Sequence, residues 1–363
     1  MNPNPSEYAA IVGNSRLLCV VSPIGIPLRL FWPNIDYGQH IDTLRLAISS
    51  NDLDGVLWLD SRGWIHTQRY LPGTNVVETR SVHHKKRFAL ISTVFALTDR
   101  DSLVLSYRFE DKSGRRRDLD LNLYSVLRIN ESVCDNTALI NEPAGTVAFY
   151  LRDVAVAISG QARFDAYQCG VRGEPSSALS AVETRTFLGT RIQHKSPDTA
   201  VRWNVGPFDS QHECATTLFI TLASRLDDAI AANSELSALE PAQLEEETTN
   251  SWNEWARRDN SVLESRNHTV RIGTASSTDN APENSKEEGR RARWRGSASA
   301  KSTSQSGEFI TALNKLCGPR AGAVYERSLF ALKLLSDGTG ALIAAPEFDR
   351  FREVCGGYGY VWP

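Results

Sequence analysis

The chain has 363 residues, 41% of them apolar and 23% charged, with 40 Lys and Arg against 43 Asp and Glu for a net charge of −3. This is the balance of a soluble globular protein with enough chain for about two domains, which excludes a disordered or membrane class. The near-even charge excludes a general attraction to nucleic acid or to an anionic membrane, so neither partner is expected. No window reaches the roughly 18 uninterrupted apolar residues of a membrane-crossing helix. The six cysteines, Cys19, Cys134, Cys169, Cys214, Cys317 and Cys355, contain no CxxC pair; they read as mostly free thiols, and no metal or other cofactor is expected.

The N-terminal run MNPNPSEYAAIVGNSRLLCVV lacks a basic opening, and its apolar stretch is interrupted by Gly13, Asn14, Ser15 and Arg16. It does not read as a secretory signal, and a cytoplasmic location is expected. From about residue 9 to 223, short apolar runs with period-two character alternate with turn residues. They include Leu17 to Val21, Val56 to Leu59, Phe88 to Phe95, Leu103 to Phe109, Leu119 to Leu127, Val147 to Leu151, Val154 to Ile158 and Leu218 to Leu222. Many short strands at this spacing predict a large antiparallel β-sandwich over residues 1–223. In one strand Leu119, Leu121 and Leu123 alternate with Asp118, Asp120 and Asn122, which predicts one dry face and one wet face. A solvent-facing sheet could offer aromatic side chains to a partner, but scattered surface aromatics are also normal on inert folds.

After Ser224 the composition turns to Ala, Leu and Glu without β-branched clusters, predicting a helical linker over 224–264 broken near Pro241. Trp252 and Trp255 lie three apart, on one helical face, and read as core packing rather than a sugar platform. Residues 265–306 collapse into Ser, Thr, Asn, Glu, Arg and Gly, too little to offset the entropy of ordering, which predicts a disordered insertion. Its basic GRRARWRG core could hold RNA by phosphate contacts and stacking, but the adjacent EEG favours a solvated linker. Order is expected again from Phe309 to Leu316, and then in a helix from about Gly322 to Ser336. There Tyr325, Leu329, Leu332 and Leu335 form one predicted buried stripe, with Asp337-Gly338-Thr339-Gly340 as the stop.

The last 39 residues, YERSLFALKLLSDGTGALIAAPEFDRFREVCGGYGYVWP, carry a longer signal. The helix, turn, IAAPE-x-D loop and GGYGYxWP run resemble the start of the catalytic barrel of glycoside hydrolase family 15, the glucoamylases and glucodextranases. Upstream, GNSRLLCVVSPIGIPLRLFWPNIDYGQHID resembles the opening strands of the N-terminal sandwich of its bacterial members, and the helical segment with SWNEW is also similar. The resemblance implies a mainly β, then α, architecture: a sandwich, a helical linker, and over 307–363 the truncated start of an (α/α)6 barrel, the six-hairpin glycosidase architecture.

By the same resemblance Tyr358 and Trp362 line the pocket for the nonreducing-end glucose of an α-glucan or α-glucoside, where flat rings suit the C–H face of a pyranose. The implied chemistry is inverting hydrolysis by two glutamates from later barrel loops, which this sequence does not include. No residue of this chain is therefore assigned a catalytic role. Glu347 and Asp349, two residues apart, are read as loop residues, because that spacing does not secure the roughly 6.5 to 9.5 Å an inverting pair needs. The expectation is a family 15-like protein that is inactive alone, with a second chain supplying the rest of the barrel as one possibility. A non-catalytic carbohydrate-binding or scaffold module is the alternative, and an RNA-associated protein a third reading.

Overall fold

The computed structural model describes residues 10–34, 37–111, 113, 118–132, 135–208, 213–267, 305–338, 342–343 and 361–362, with the backbone alone for 258–267, 305–309, 343 and 361–362. It opens on a three-stranded meander, β1 (Ala10–Gly13), β2 (Leu18–Val21) and β3 (Pro27–Phe31). Next come β4 (Ile41–Ser50), β5 (Leu57–Trp58), β6 (Trp64–Tyr70), β7 (Val77–His83), β8 (Phe88–Ala96), β9 (Ser102–Asp111) and β10 (Asp118–Leu127). They are followed by β11 (Thr137–Asn141), β12 (Thr146–Leu151), β13 (Val154–Gly160), β14 (Ala166–Val171), the short helix α1 (Ala178–Thr184), β15 (Ile192–His194), β16 (Pro197–Pro207) and β17 (Glu213–Ala223).

These strands form two large antiparallel sheets. The five-stranded sheet has the order β14-β16-β10-β4-β5, and the nine-stranded sheet has β15-β11-β12-β13-β17-β9-β8-β7-β6. The predicted sandwich is therefore present; of the apolar runs named from the sequence, Leu17 to Val21 overlaps β2 of the meander and the others lie on or overlap strands of the two large sheets. Alternation explains the core: Leu44, Leu46 and Ile48 of β4, Leu119, Leu121 and Leu123 of β10, and Val201 and Trp203 of β16 point inward. They meet Leu103, Leu105, Tyr107 and Phe109 of β9 and Leu218, Ile220 and Leu222 of β17, as two packed sheets require.

The outer faces depart from the simple wet-face expectation. On β10, Asp118 is exposed, but Asn122 is buried at 2% exposure, as are Tyr124 and Val126 beyond it. The reason is tertiary: α1 lies over this half of the sheet, packing Ala178 and Val182 on Ala47, Tyr124, Val126 and Ala200. Asp198 of β16, fully buried, pins the helix in place. Its carboxylate accepts from the Tyr124 hydroxyl at 3.1 Å, from the Ala178 N–H at 2.9 Å and from the Ser177 hydroxyl. Asp198→Ala should leave those buried donors unpaired and cost about 2 kcal/mol. Urea unfolding checks the loss, and faster tryptic cutting at Arg185 would show that α1 has detached.

The nine-stranded sheet is roofed by helices. In α2 (Leu226–Ser237) Ala229 seats against Ala155 and Ala157. The buried Asn233 amide donates to the carbonyls of Ala157 at 3.1 Å and Phe219 at 3.2 Å. The next helix, α3 (Pro241–Asn267), starts at the proline expected to break the chain, since proline suits a first helical turn. Leu236 and Leu244 close over Val76, Phe95, Leu97, Val104 and Phe219, so the start of the predicted linker is packed on the sandwich. Trp252, at 5% exposure, is a core residue.

The contacts divide the chain into two compact units, Met1–Trp252 with Arg327–Pro363, and Asn253–Glu326. The second contains α4 (Gln305–Cys317), which stops at Gly318 with φ +100° and the Gly318 N–H on the Asn314 carbonyl at 3.0 Å. Its following helix, α5 (Ala321–Leu334), runs on into the first unit. Two elements of the sequence reading are corrected on α5. The helix ends at Leu334, before the Asp337-Gly338 turn, and its buried large apolar side chains are Phe330 and Leu334, whereas Leu332 is 49% exposed. Most of residues 265–306, with GRRARWRG, lie outside the described residues.

Candidate functional site

The terminal motif forms a small antiparallel pair, β18 (Leu342–Ile343) with β19 (Val361–Trp362). Leu342 stands opposite Trp362 and Ile343 opposite Val361. The two ends of the motif are thus brought together although 18 residues lie between Ile343 and Trp362. Of the two predicted sugar-contacting residues, Trp362 is placed by its backbone in β19. Tyr358 lies outside the described residues, as do Glu347, Asp349, Gly356 and Gly357.

The helix that precedes this hairpin is seated on the sandwich. Arg327, in α5, lays its guanidinium over the Tyr70 ring, 3.8 Å from the centroid. It donates to the Thr74 carbonyl at 3.0 Å and to the Asn75 side chain. Tyr70 is itself fixed, its hydroxyl donating to the Ile11 carbonyl at 3.0 Å and accepting from the Ile11 N–H at 2.8 Å. Burial pushes its phenol pKa up, which keeps that donor protonated. One turn on, Phe330 meets Trp252 edge to face at 5.8 Å. Past the helix, Ser336 bridges to Leu342, and Asp337 accepts from Asn34 at 3.2 Å.

Asn34 belongs to the Trp32–Gln39 loop, which contains a cis Trp32–Pro33 peptide and is closed by a bridge between Phe31 and Gln39. His40 secures it. The Asn130 N–H points at Nδ1 from 3.1 Å, so the proton resides on Nε2 and is donated to the Trp32 carbonyl at 2.9 Å. Burial holds the His40 pKa down at about 4, against a partial opposing effect of the Trp32 hydrogen bond.

Elsewhere on the sandwich two aromatic rings each face an arginine. Arg45 covers Trp58 at 4.0 Å while paired to Asp60, and Arg202 stands 5.7 Å from the Phe187 centroid while paired bidentately to Asp165. The Arg45 guanidinium thereby occupies the Trp58 face that a sugar would use. Among the described residues no three His, Cys, Asp or Glu side chains gather as a metal site, and no helix is long and apolar enough to cross a membrane. Cys19, Cys169 and Cys317 are free thiols; burial pushes Cys169 up to about 12, so it is unreactive.

In the sequence Arg327 lies within YERSLFALKLL and Asn34 within IPLRLFWPNIDYGQHID, and the pattern alone gives neither a role. The available signal was their position inside the two stretches that carried the family resemblance.

Residues 23–257 match the family described as glucodextranase, domain N. The chain is 28% identical over 222 residues to an uncharacterized glycosyl hydrolase of Methanocaldococcus jannaschii, covering 60% of this chain and 34% of that protein. It also resembles the crystal structure of a bacterial glucoamylase complexed with acarbose, with TM-score 0.58 at 13% identity over 69% of this chain and 37% of the other. The chain spans about a third of the length of these relatives.

Proposed function

Because this chain belongs to the glucodextranase domain N family, and is thus a glycoside hydrolase-like carbohydrate protein, we propose that it is the front part of an inverting glycosidase of α-glucan or α-glucoside metabolism. The observation that carries this reading is the family match across both sheets and their helical roof, residues 23–257. The proposed division of labour follows the sequence. Residues 1–223 and the helices of 224–264 form a scaffold, 307–363 begin the catalytic barrel, and Tyr358 and Trp362 contact the sugar. Hydrolysis itself needs the acid and base glutamates of later barrel loops, supplied by further chain or by a second polypeptide.

The 363-residue chain should therefore release no glucose from maltose or dextran, since each missing acid–base group is worth about 10² to 10⁴ in rate. Turnover clearly above a boiled control, with host glucosidase excluded, would contradict this. Joining the missing barrel should create activity, and Trp362→Ala in that protein should raise KM about tenfold through loss of a ring face. An active protein with unchanged Trp362→Ala kinetics would remove that residue from the sugar site.

A further inference from the structure

The sandwich grips the segment leading to Trp362 at two points, the Arg327 cradle and the Asn34–Asp337 hydrogen bond. From this we infer that Arg327 and Asp337 are positioning residues through which the sandwich sets the β18–β19 hairpin. The inference deepens the proposed function and rests on it only where Trp362 is taken to contact sugar.

The first grip is a preformed socket. Thr74 and Asn75 are 2% and 1% exposed. Their loop is braced by the Leu71 N–H on the Val76 carbonyl at 2.9 Å and by the Thr74 hydroxyl, which donates to the Leu71 carbonyl at 2.9 Å and accepts from the Val76 N–H at 3.0 Å. A planar fork fits here and a lysine does not: the same group must stack on Tyr70 and reach two acceptors. Arg327, Phe330 and Leu334 recur at spacings of three and four, so they share one face of α5, and the socket selects which face turns inward.

The second grip acts just past the helix. Ser336 is bridged to Leu342, whose strand neighbour opposite is Trp362, and Asp337 is the next residue. A rotation of α5 or release of Asp337 therefore reaches the hairpin through a single intervening pairing. The socket lies in the β6–β7 turn and Asn34 in the loop after β3, so both grips come from the sandwich. This gives domain N a task beyond attachment: it sets the place of a sugar-contacting strand that the barrel sequence then uses.

Hydrogen exchange read by mass spectrometry on the full 363-residue chain tests this without any sugar. Arg327→Ala should speed exchange in the peptides holding Leu342–Ile343 and Val361–Trp362 about tenfold, the scale of one lost charged hydrogen bond, while the β9 and β17 amides stay unchanged. Arg327→Lys should fail to restore protection. Asp337→Ala should release the same peptides, and Asp337→Asn, which can still accept from Asn34, should keep them at the wild-type rate. If Arg327→Ala unfolds the sandwich, seen as acceleration everywhere, the Asp337 pair decides alone. Hairpin exchange within about twofold of wild type in both alanine variants, or release by Asp337→Asn equal to Asp337→Ala, overturns the inference. Excess maltotriose added to the wild type addresses the sugar reading separately: protection of the Trp362 peptide supports it, and no protection counts against that reading while leaving the positioning result intact.

Discussion

Trp203→Ala is expected to destabilise the sandwich by about 3 to 5 kcal/mol, the range for removing a large buried aromatic. Trp203 is fully buried on β16 and its ring lies 6.4 Å from that of Phe164. It projects from the five-stranded sheet onto Gly160 of β13, in the facing sheet. A Cβ built on Gly160 would stand 2.4 Å from the indole Nε1 and 2.9 Å from the Ala162 carbonyl. The glycine is the hollow that receives the ring. Gly160→Ala should consequently cost about 1 to 3 kcal/mol by overpacking. In a Trp203→Phe background, where the indole nitrogen is gone, the same alanine should cost much less. A double-mutant cycle by urea unfolding should then show a coupling of about 1 kcal/mol or more, and additivity within about 0.5 kcal/mol would mean that the two residues do not form this contact. The indole Nε1 has no hydrogen-bond partner among the described residues, so Trp203→Phe should itself lose less than the ring volume alone implies.

The second large effect is a loss of stability in mild acid caused by His40. Its pKa is held at about 4 in the folded chain, against an ordinary value of 6.5. The unfolded chain therefore takes up the proton first. Stability is undiminished above pH 6.5, falls as the pH drops from 6.5 to about 4, and levels off below that as far as this group is concerned. The gap corresponds to about 3 kcal/mol. The physical cause is burial, together with Nδ1 facing the Asn130 N–H, which a protonated ring would meet donor to donor. His66 and His83 are also depressed by burial and add in the same direction. His40→Gln should lower stability at pH 7 and flatten the decline between pH 6.5 and 4. Urea midpoints measured across that range decide it: equal slopes in the two proteins would clear His40 of the role. Because His40 fixes the loop that carries Asn34, the same titration should loosen the Asn34–Asp337 contact before the sheets separate.

Residue periodicity by itself determined much of this architecture. Period-two apolar runs located the strands, because only alternation fills the space between two sheets while leaving the other side free. The change at Ser224 to Ala, Leu and Glu marked the helices, and Pro241 marked the start of α3, because a proline ring fits only the first turn. The terminal motif pointed to the family, as a long run of ordered residue types can do and composition cannot.

Contacts between residues distant in sequence were settled only by the tertiary structure. In Leu329-Phe330-Ala331-Leu332-Lys333-Leu334-Leu335 apolar side chains surround the helix, so the stripe through Leu329 and Leu332 and the one through Phe330 and Leu334 satisfy the helical period equally well. The socket for Arg327 chose the second. Of the face of β10 predicted wet, Asp118 is exposed but Asn122 is buried, and beyond it Asp198, 74 residues from Tyr124, holds α1 over Tyr124 and Val126. Nothing in the local sequence paired Gly160 with Trp203, since their meeting depends on how two sheets align. Side-chain pattern specifies which face of an element is dry, but which partner covers that face is decided by packing across the whole chain.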